Sequence, residues 1–260
     1  MSTKKYEFIH TEVRGKVFIV TIARPAVMNA IHPPASMEMA AAWDGFEADP
    51  DLWVGIVTGE GERAFSAGND LKYQAAGGEF TSPPSGFGGL TNRLGCNKPI
   101  IAAVNGVALG GGFEIALAAD IIVASENARF GLPEPRVGLA ALAGGVHRLP
   151  RQIGVKNAMA LLLTGRHFDA RDAYRFGLAA EVVPAAELLP KAIALAEEIA
   201  ACAPLSVRAT KEAALGGLGR PLEEALSMQF EGLRKMFHSE DFIEGPRAFA
   251  EKRKPNWKGR

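Results

Sequence analysis

The chain has 260 residues, of which 48% are hydrophobic and 22% are charged, so it is long and apolar enough to bury one large core. That composition excludes an intrinsically disordered protein. The 29 basic side chains balance the 29 acidic ones, which argues against nucleic acid or an anionic membrane surface as a partner.

The first half of the chain predicts alternating strands and helices. Two β-like runs, residues 8–13 and 17–22, flank Gly15 and indicate a hairpin. The next predicted elements are a helix at 34–48, a buried strand at 54–58, a short helix capped by Asn69 or Asp70, a mobile Gly- and Pro-rich loop at 75–89, a strand at 100–104, a helix at 112–118 and a strand at 121–125. This alternation predicts an α/β fold.

The second half of the chain predicts mainly helices. Beyond residue 144, prolines, glycines and capping residues divide the sequence into helical segments, and a strand signal returns only at 180–183. We place a boundary near residue 200. It separates an α/β core, residues 1–200, from a helical C-terminal region, residues 201–260, that packs on the core or reaches a neighbouring subunit.

Cysteine usage and the first residues favour a cytoplasmic protein. Cys96 and Cys202 lie far apart without metal-ligand spacing, which suits a reducing compartment. The start at residues 1–5 is basic, but polar residues follow where an export signal would need an apolar stretch. The apolar segment 100–124 is long enough to imitate a membrane helix, yet glycines and two acids interrupt it. We therefore predict no signal peptide, no disulfide and no membrane span.

Two carboxylates stand out as candidate functional groups. Glu114 follows three glycines in the apolar segment, and Glu134 follows 20 residues later. A charge in apolar surroundings needs a partner, a function or a shifted pKa. From the residues alone, two ordinary roles stay open. Glu114 could stabilise a helix N-terminus as a first-turn acid, and Glu134 could be a loop carboxylate paired with Arg129 or Arg136.

Several segments, in the right order along the chain, resemble one known family. They are residues 65–71 (Phe-Ser-Ala-Gly-Asn-Asp-Leu), 98–106 (Lys-Pro-Ile-Ile-Ala-Ala-Val-Asn-Gly), 108–114 (Ala-Leu-Gly-Gly-Gly-Phe-Glu), 130–134 (Phe-Gly-Leu-Pro-Glu) and 248–253 (Ala-Phe-Ala-Glu-Lys-Arg). Together they resemble the crotonase (enoyl-CoA hydratase/isomerase) family. The resemblance implies a spiral of β-β-α units, a helical trimerisation region at the C-terminus, and a homotrimer or a homohexamer built as a dimer of trimers.

The resemblance also implies the roles of individual residues. The backbone N–H groups of Asn69 and Gly111 fall where the family binds the thioester oxygen, and Glu114 and Glu134 fall on its two catalytic acids. The positions implied for binding the acyl-CoA substrate are Ala26, Ala67, Asn69, Asp70, Leu71, Lys72, Gly111 and Lys252. The two lysines are candidates for the CoA phosphates, although solvated surface lysines are an equal alternative. We expect no metal and no separate cofactor, because coenzyme A is part of the substrate.

The implied reaction is the reversible syn addition of water to a 2-enoyl-CoA thioester. Charge develops on the thioester oxygen, so two backbone amides must be held there, and glycines let the substrate approach. We assign proton delivery at Cα to Glu134 and water activation to Glu114. Isomerases of the family commonly rely on an acid at the second position alone, so the presence of both acids favours a hydratase.

Other reactions remain open at this stage. Residues 86–91 and 257–260 are similar to carnitinyl-CoA dehydratases of the same family, whose quaternary ammonium substrate could be held by aromatic rings at Tyr73, Phe80 and Phe87. An enoyl-CoA isomerase is a further alternative. Residues 139–143 depart from the Pro-Gly-Ala type of sequence common in hydratases, which leaves the acyl group open. A non-catalytic scaffold is disfavoured because both acids are present, and Ser66 lacks the surroundings of a serine hydrolase nucleophile.

Overall fold

The computed structural model describes residues 5–79 and 81–260. Most of the basic start and Phe80, one of the aromatic candidates above, therefore lie outside the described residues. The strands are β1 (Ile9–Arg14), β2 (Val17–Ile22), β3 (Val54–Gly59), β4 (Ala64–Ser66), β5 (Ile100–Val104), β6 (Val107–Leu109), β7 (Ile121–Ser125), β8 (Arg129–Gly131), β9 (Phe168–Asp169) and β10 (Glu181–Val183). The helices are α1 (Pro33–Ala48), α2 (Leu71–Ala75), α3 (Gly111–Ala118), α4 (Gly145–Ile153), α5 (Val155–Leu162), α6 (Ala170–Arg175), α7 (Leu188–Ala200), α8 (Pro204–Gly217), α9 (Leu222–Ser227), α10 (Glu231–Phe237) and α11 (Glu240–Ala250).

The strands form two sheets, and from β3 to β8 successive strands enter the two sheets alternately. The larger sheet has the order β1-β2-β3-β5-β7-β10, and the smaller has the order β4-β6-β8-β9. The pairs β3–β4, β5–β6 and β7–β8 each send their first strand to the larger sheet and their second to the smaller one. In both sheets these strands run parallel to one another, whereas β9 pairs with β8 in the antiparallel direction. A helix follows the first two pairs, α2 after β4 and α3 after β6, so the chain advances as β-β-α units.

The inner strands β2, β3 and β5 of the larger sheet are buried on both faces, which explains their apolar sequences, whereas the edge strand β1 is mostly exposed. On one face, α1 packs Trp43 and Phe46 against Phe18, with ring centroids 6.0 and 5.7 Å from the Phe18 ring. The other face is covered by α7, whose buried residues recur at four-residue spacing and meet alternate strand residues. These buried α7 residues are Leu188, Ala192 and Ala196. The α/β core expected from the sequence is therefore present.

The C-terminal part is helical, as expected. From α8 onwards the chain forms only helices and turns, and the end of the chain returns to the core, where the Trp257 indole donates to the Ala201 carbonyl at 2.8 Å. Many apolar side chains of these helices are exposed, among them Leu222, Leu226 and Phe249. No helix built from the described residues has the length and apolar character needed to span a membrane.

The longer predicted elements are confirmed, and the shortest strands were missed. The hairpin, α1, α3, β3, β5, β7 and the Asp70 cap of α2 lie within one or two residues of their predicted bounds. The strands β4, β6 and β8 were not predicted, because three residues are too few to show a period. The end of the predicted loop 75–89 is packed rather than open, since Phe87 is buried and the Gly88 N–H donates to Ser36 Oγ at 3.0 Å.

Gly112 joins α3 to the smaller sheet and offers a test of this packing. A Cβ atom at Gly112 would lie 2.2 Å from the Ser66 carbonyl oxygen, whereas one at the exposed Gly95 would meet nothing within 4 Å. We expect Gly112→Ala to lower the thermal midpoint by at least about 5 °C through overpacking. Gly95→Ala should leave it nearly unchanged. Equal midpoints for the two variants, measured by circular dichroism, would contradict this packing.

Candidate active site

Three parallel strands of the smaller sheet bring the predicted residues together. β4, β6 and β8 are neighbours in that order, so their carboxyl ends lie at one edge. Asn69 follows β4 by three residues, Gly111 follows β6 by two, and Glu134 follows β8 by three. Glu114 lies in the first turn of α3, which begins at the same edge. The predicted amides and acids therefore converge on one region.

The two predicted amides are adjacent and unpaired. Asn69 forms a parallel bridge with Ile31 through the Gly68 carbonyl and the Asp70 N–H, so the N–H of Asn69 itself points away from Ile31. A Cβ on Gly68 would lie 2.8 Å from the Gly111 nitrogen, so the peptide that carries the Asn69 N–H runs beside Gly111. Within the described part of the chain, neither amide donates a hydrogen bond. Both are available to an oxygen atom.

The backbone at this point requires glycine. Gly68 has a φ of 88°, and a Cβ there would also lie 2.6 Å from the Leu109 carbonyl oxygen. Gly111 is covered by the Phe87 ring, whose Cε1 would lie 2.5 Å from a Cβ at that position. The amide pair is thus formed by close contact of two backbone segments, and Phe87 shields one side of it.

Glu114 is buried and held by the start of another helix. Glu114 is only 3% exposed. Its Oε1 accepts a hydrogen bond of 2.8 Å from the Gly145 N–H at the start of α4. Burial raises the pKa of Glu114 to about 7; the nearby Glu134 raises it as well, while the Gly145 amide and Arg148 oppose the shift. Glu114 is therefore not a cap of its own helix. It is a buried acid that titrates near neutrality.

Glu134 faces the same region from a short 3-10 helix, Glu134–Val137. Its Oε1 would lie 3.2 Å from a Cβ at Gly110, the residue before the predicted oxyanion amide. Its Oε2 is buried and has no hydrogen-bond partner among the described residues, and burial raises the pKa of this carboxyl group. Arg129 and Arg136 donate instead to the carbonyls of residues 128 and 164, so the ordinary ion-pair role does not hold.

The positions predicted to bind the acyl-CoA separate into two places. The Ala67 N–H donates to the carbonyl of Met28, and Met28 directly follows the 3-10 turn that contains Ala26. Ala67 and Ala26 therefore lie on adjoining backbone segments. Asp70 accepts from the Tyr73 N–H and pairs with Arg24 at 3.0 Å. The exposed Leu71 and Lys72 follow on α2. Among the described residues, no hydrogen bond or ion pair joins Lys252, which lies beyond α11, to this group.

Three residues that support the site were not found from the sequence. Gly145 holds Glu114, and Arg148 lies beside Glu114 with its Nη2 donating to the Thr91 carbonyl at 2.8 Å. Arg24 holds Asp70, the cap of α2. The Gly144–Gly145 pair before α4 could have been a signal, because a second glycine run at a helix start resembles the one before Glu114. Across residues 5–79 and 81–260, no cluster of three or more histidine, cysteine or acidic side chains is arranged to hold a metal.

Known proteins resemble this chain over nearly its whole length. The sequence profile of the enoyl-CoA hydratase/isomerase family matches residues 12–260. Carnitinyl-CoA dehydratases of Proteus mirabilis (strain HI4320) and Escherichia coli O157:H7 are each 46% identical to it, and the alignments cover 97% and 98% of this chain and 98% and 99% of those proteins. The crystal structure of enoyl-CoA hydratase from Mycobacterium tuberculosis H37Rv superposes with a TM-score of 0.92 at 42% identity, covering 97% of this chain and 99% of that one.

The raised pKa of Glu114 predicts a pH-dependent stability. A carboxyl group whose pKa is about 7 in the folded protein and 4.5 in its ordinary, exposed state stabilises the fold below pH 4.5, and this contribution is lost as the pH rises through about 7. Glu114→Gln keeps an acceptor for the Gly145 N–H but cannot ionise. We therefore expect the variant to gain thermal stability over the parent protein as the pH is raised from 5 to 8. Glu62→Gln, at an exposed site, is the control. If the difference in thermal midpoint between Glu114→Gln and the parent protein stays constant from pH 5 to 8, as expected for the control, the reasoning is refuted.

Proposed function

This chain belongs to the enoyl-CoA hydratase/isomerase family and is an enzyme of the hydro-lyase class, and from that premise we propose that it adds water reversibly, in the syn sense, to a 2-enoyl-CoA thioester. The observation that carries the proposal is the convergence at one sheet edge of two unpaired amides, the buried Glu114 and the half-buried Glu134, whose Oε2 atom is buried. That arrangement suits the polarisation of a carbonyl group next to a double bond.

The amides of Asn69 and Gly111 form the oxyanion hole in this proposal. When water adds at Cβ, the double-bond electrons move towards Cα and the thioester oxygen, so negative charge grows on that oxygen. Gly111 is the first residue of α3, and its amide adds the positive end of the helix dipole. Removal of one such donor typically costs about 3 kcal/mol of transition-state stabilisation.

The two acids divide the proton transfers. In the hydration direction, ionised Glu114 takes a proton from water while the oxygen bonds to Cβ, and protonated Glu134 gives its proton to Cα. After each turnover Glu114 is protonated and Glu134 is ionised. The proton must therefore return to Glu134 before the next turnover. Burial raises the pKa of both groups, which supports a site that holds one proton between two carboxyl groups near neutral pH.

Coenzyme A enters the site as part of the substrate in this proposal, so no separate cofactor is needed. The backbone around Ala67 and Asp70 would receive the pantetheine and adenine portions, with Ala26 and Leu71 beside it. Lys72, exposed on α2, and Lys252 would meet the phosphates as point charges. Because Lys252 lies in the C-terminal region, it can belong to the site of a neighbouring copy.

We also propose that the enzyme is a homotrimer or a pair of trimers in the cytoplasm. An apolar groove of about 430 Å³ lies among α8, α9 and α10, and exposed leucines line it. An apolar surface of this kind favours contact with another copy. The two unpaired cysteines, Cys96 and Cys202, suit a reducing compartment.

A second candidate within the same chemistry is the dehydration of carnitinyl-CoA or its reverse. The relatives with that name, at 46% identity over nearly the whole chain, favour it. The same amides and acids would serve, because the reacting bond is also next to a thioester. Only the recognition of the acyl group would differ.

The acid roles predict the behaviour of two variants. Glu134→Gln and Glu114→Gln should each lower kcat for crotonyl-CoA hydration at least a hundredfold, because each removes one of the two proton transfers of the addition. Binding of a non-reactive acyl-CoA, measured by calorimetry, should change little. Hydration at the parental rate by either variant would remove that acid from the mechanism.

The acyl group can be assigned with a substrate panel. Hydration of crotonyl-CoA, longer 2-enoyl-CoA esters and crotonobetainyl-CoA should be followed as loss of the conjugated-thioester absorbance. We expect turnover of simple 2-enoyl-CoA esters. If crotonobetainyl-CoA alone is hydrated, the second candidate is correct; if no ester reacts, the hydratase proposal itself is wrong.

A further inference from the structure

Arg148 is a partly buried cation that has no role in the proton transfers proposed above. It lies in the first turn of α4, the helix whose first amide holds Glu114. Its Nη2 donates to the Thr91 carbonyl at 2.8 Å, and its Nη1 lies so close to Gly144 that a Cβ atom there would collide with it. The guanidinium group therefore folds back over the start of α4, where the Glu114 carboxyl group is held.

Charged groups act on the Glu114 carboxyl group from two sides. Burial is the main cause that raises the pKa of Glu114 to about 7; Glu134 adds to this rise from its 3-10 helix, and Arg148 opposes it from α4. Burial lowers the pKa of the Arg148 guanidinium, and the charge of Glu114 opposes that shift in turn. The two side chains therefore stabilise each other's charged forms.

The neighbouring basic side chains are placed differently. His147 and Arg151 of α4 are exposed, and Arg151 donates to a backbone carbonyl of its own helix. Arg93, at the end of the segment 84–93, forms ion pairs with two acids of α1. Of the cations on these elements, Arg148 is thus the one that acts on Glu114.

The same arginine connects the acid to the oxyanion side of the site. Thr91 is buried, and its N–H donates to the Phe87 carbonyl at 3.4 Å. The Phe87 ring covers Gly111, whose amide belongs to the proposed oxyanion hole. One side chain therefore joins the helix that holds Glu114 to the turn that covers the amide pair.

We propose that Arg148 is a positioning residue of the hydration reaction, which keeps Glu114 ionised and leaves the shared proton on Glu134. This inference rests on the proposed hydratase function. Ionised Glu114 is the form that can accept a proton from water, and a nearby cation stabilises that form strongly where the dielectric constant is low. Once Glu114 is protonated after turnover, the guanidinium group has lost its counter-charge, so return of the proton to Glu134 is favoured.

Three variants separate the charge of Arg148 from its other contacts. Arg148→Gln removes the charge but keeps an amide donor, and Arg148→Lys keeps the charge. Arg151→Gln makes the same change at an exposed site on the same helix. For the parent protein and each variant, kcat/KM for crotonyl-CoA hydration should be measured from pH 5 to 9, together with the thermal midpoint.

The charge predicts a displaced pH profile. We expect the acidic limb of kcat/KM for Arg148→Gln to move about 1 pH unit upwards, because a nearby opposite charge typically shifts the pKa of a carboxyl group by that amount or more. At pH 5.5 this displacement lowers kcat/KM about tenfold relative to the parent protein, and the deficit becomes smaller towards pH 8. Arg148→Lys and Arg151→Gln should keep the parental limb.

Titration of the carboxyl group gives the same test without turnover. With isotopically labelled glutamate, the Cδ resonance of Glu114 is identified by its loss in Glu114→Gln. The midpoint of its titration should be about 1 pH unit higher in Arg148→Gln than in the parent protein. Arg148→Met, a second neutral variant, carries the same expectation if Arg148→Gln does not fold.

Two results would overturn the inference. One is an acidic limb and a Glu114 titration that stay at their parental positions in a folded variant without the charge. The other is an equal loss of kcat/KM at every pH in Arg148→Gln and Arg148→Lys, because the arginine would then only hold the fold. If the carboxyl titration moves as expected but the parent protein hydrates no ester, the effect of Arg148 on Glu114 stands and the hydratase proposal alone is wrong.

Discussion

The parallel pairing of three very short strands is the constraint on which the rest of the site depends. β4, β6 and β8 have three residues each, yet their order fixes the carboxyl ends from which Asn69, Gly111 and Glu134 emerge. Strands of this length have few ladder hydrogen bonds of their own. They are held because each is the second strand of a pair whose first strand is buried in the larger sheet.

Asparagine side chains hold the turns between the two sheets. Asn105 donates to the carbonyls of Gly61 and Ala64 and accepts from the Gly59 N–H, so the turn of one β-β-α unit is tied to that of the next. Asn127 donates to the Glu62 carbonyl in the same way. The amide group suits this task because it donates and accepts at once. Asn105, which lies in the same apolar segment as Glu114, thus has a structural function.

The sequence predicted the long elements and the acids, but not the contacts that join them. The hairpin, α1 and β5 have enough residues to show a period, whereas β4, β6 and β8 do not. The contact between Glu114 and Gly145 spans 31 residues and depends on how α4 packs, which local pattern does not encode. Glu134 was separated from an ordinary loop carboxylate by the family resemblance alone. The structure adds the physical reason, since neither nearby arginine reaches it.

The two acids differ in how firmly they are held, and this difference fits the separate tasks that we propose for them. Glu114 is fixed through Oε1 by the Gly145 amide, so the carboxylate that we propose to orient a water molecule keeps one geometry. Oε2 of Glu134 is buried with no partner among the described residues, and such an atom is most stable when it carries a proton. Burial therefore favours the protonated form where a proton is to be delivered. Burial raises the pKa of both groups, and at Glu114 the backbone amides of Gly145 and Ala143 oppose that rise, so the same contacts that fix Glu114 also favour its ionised form.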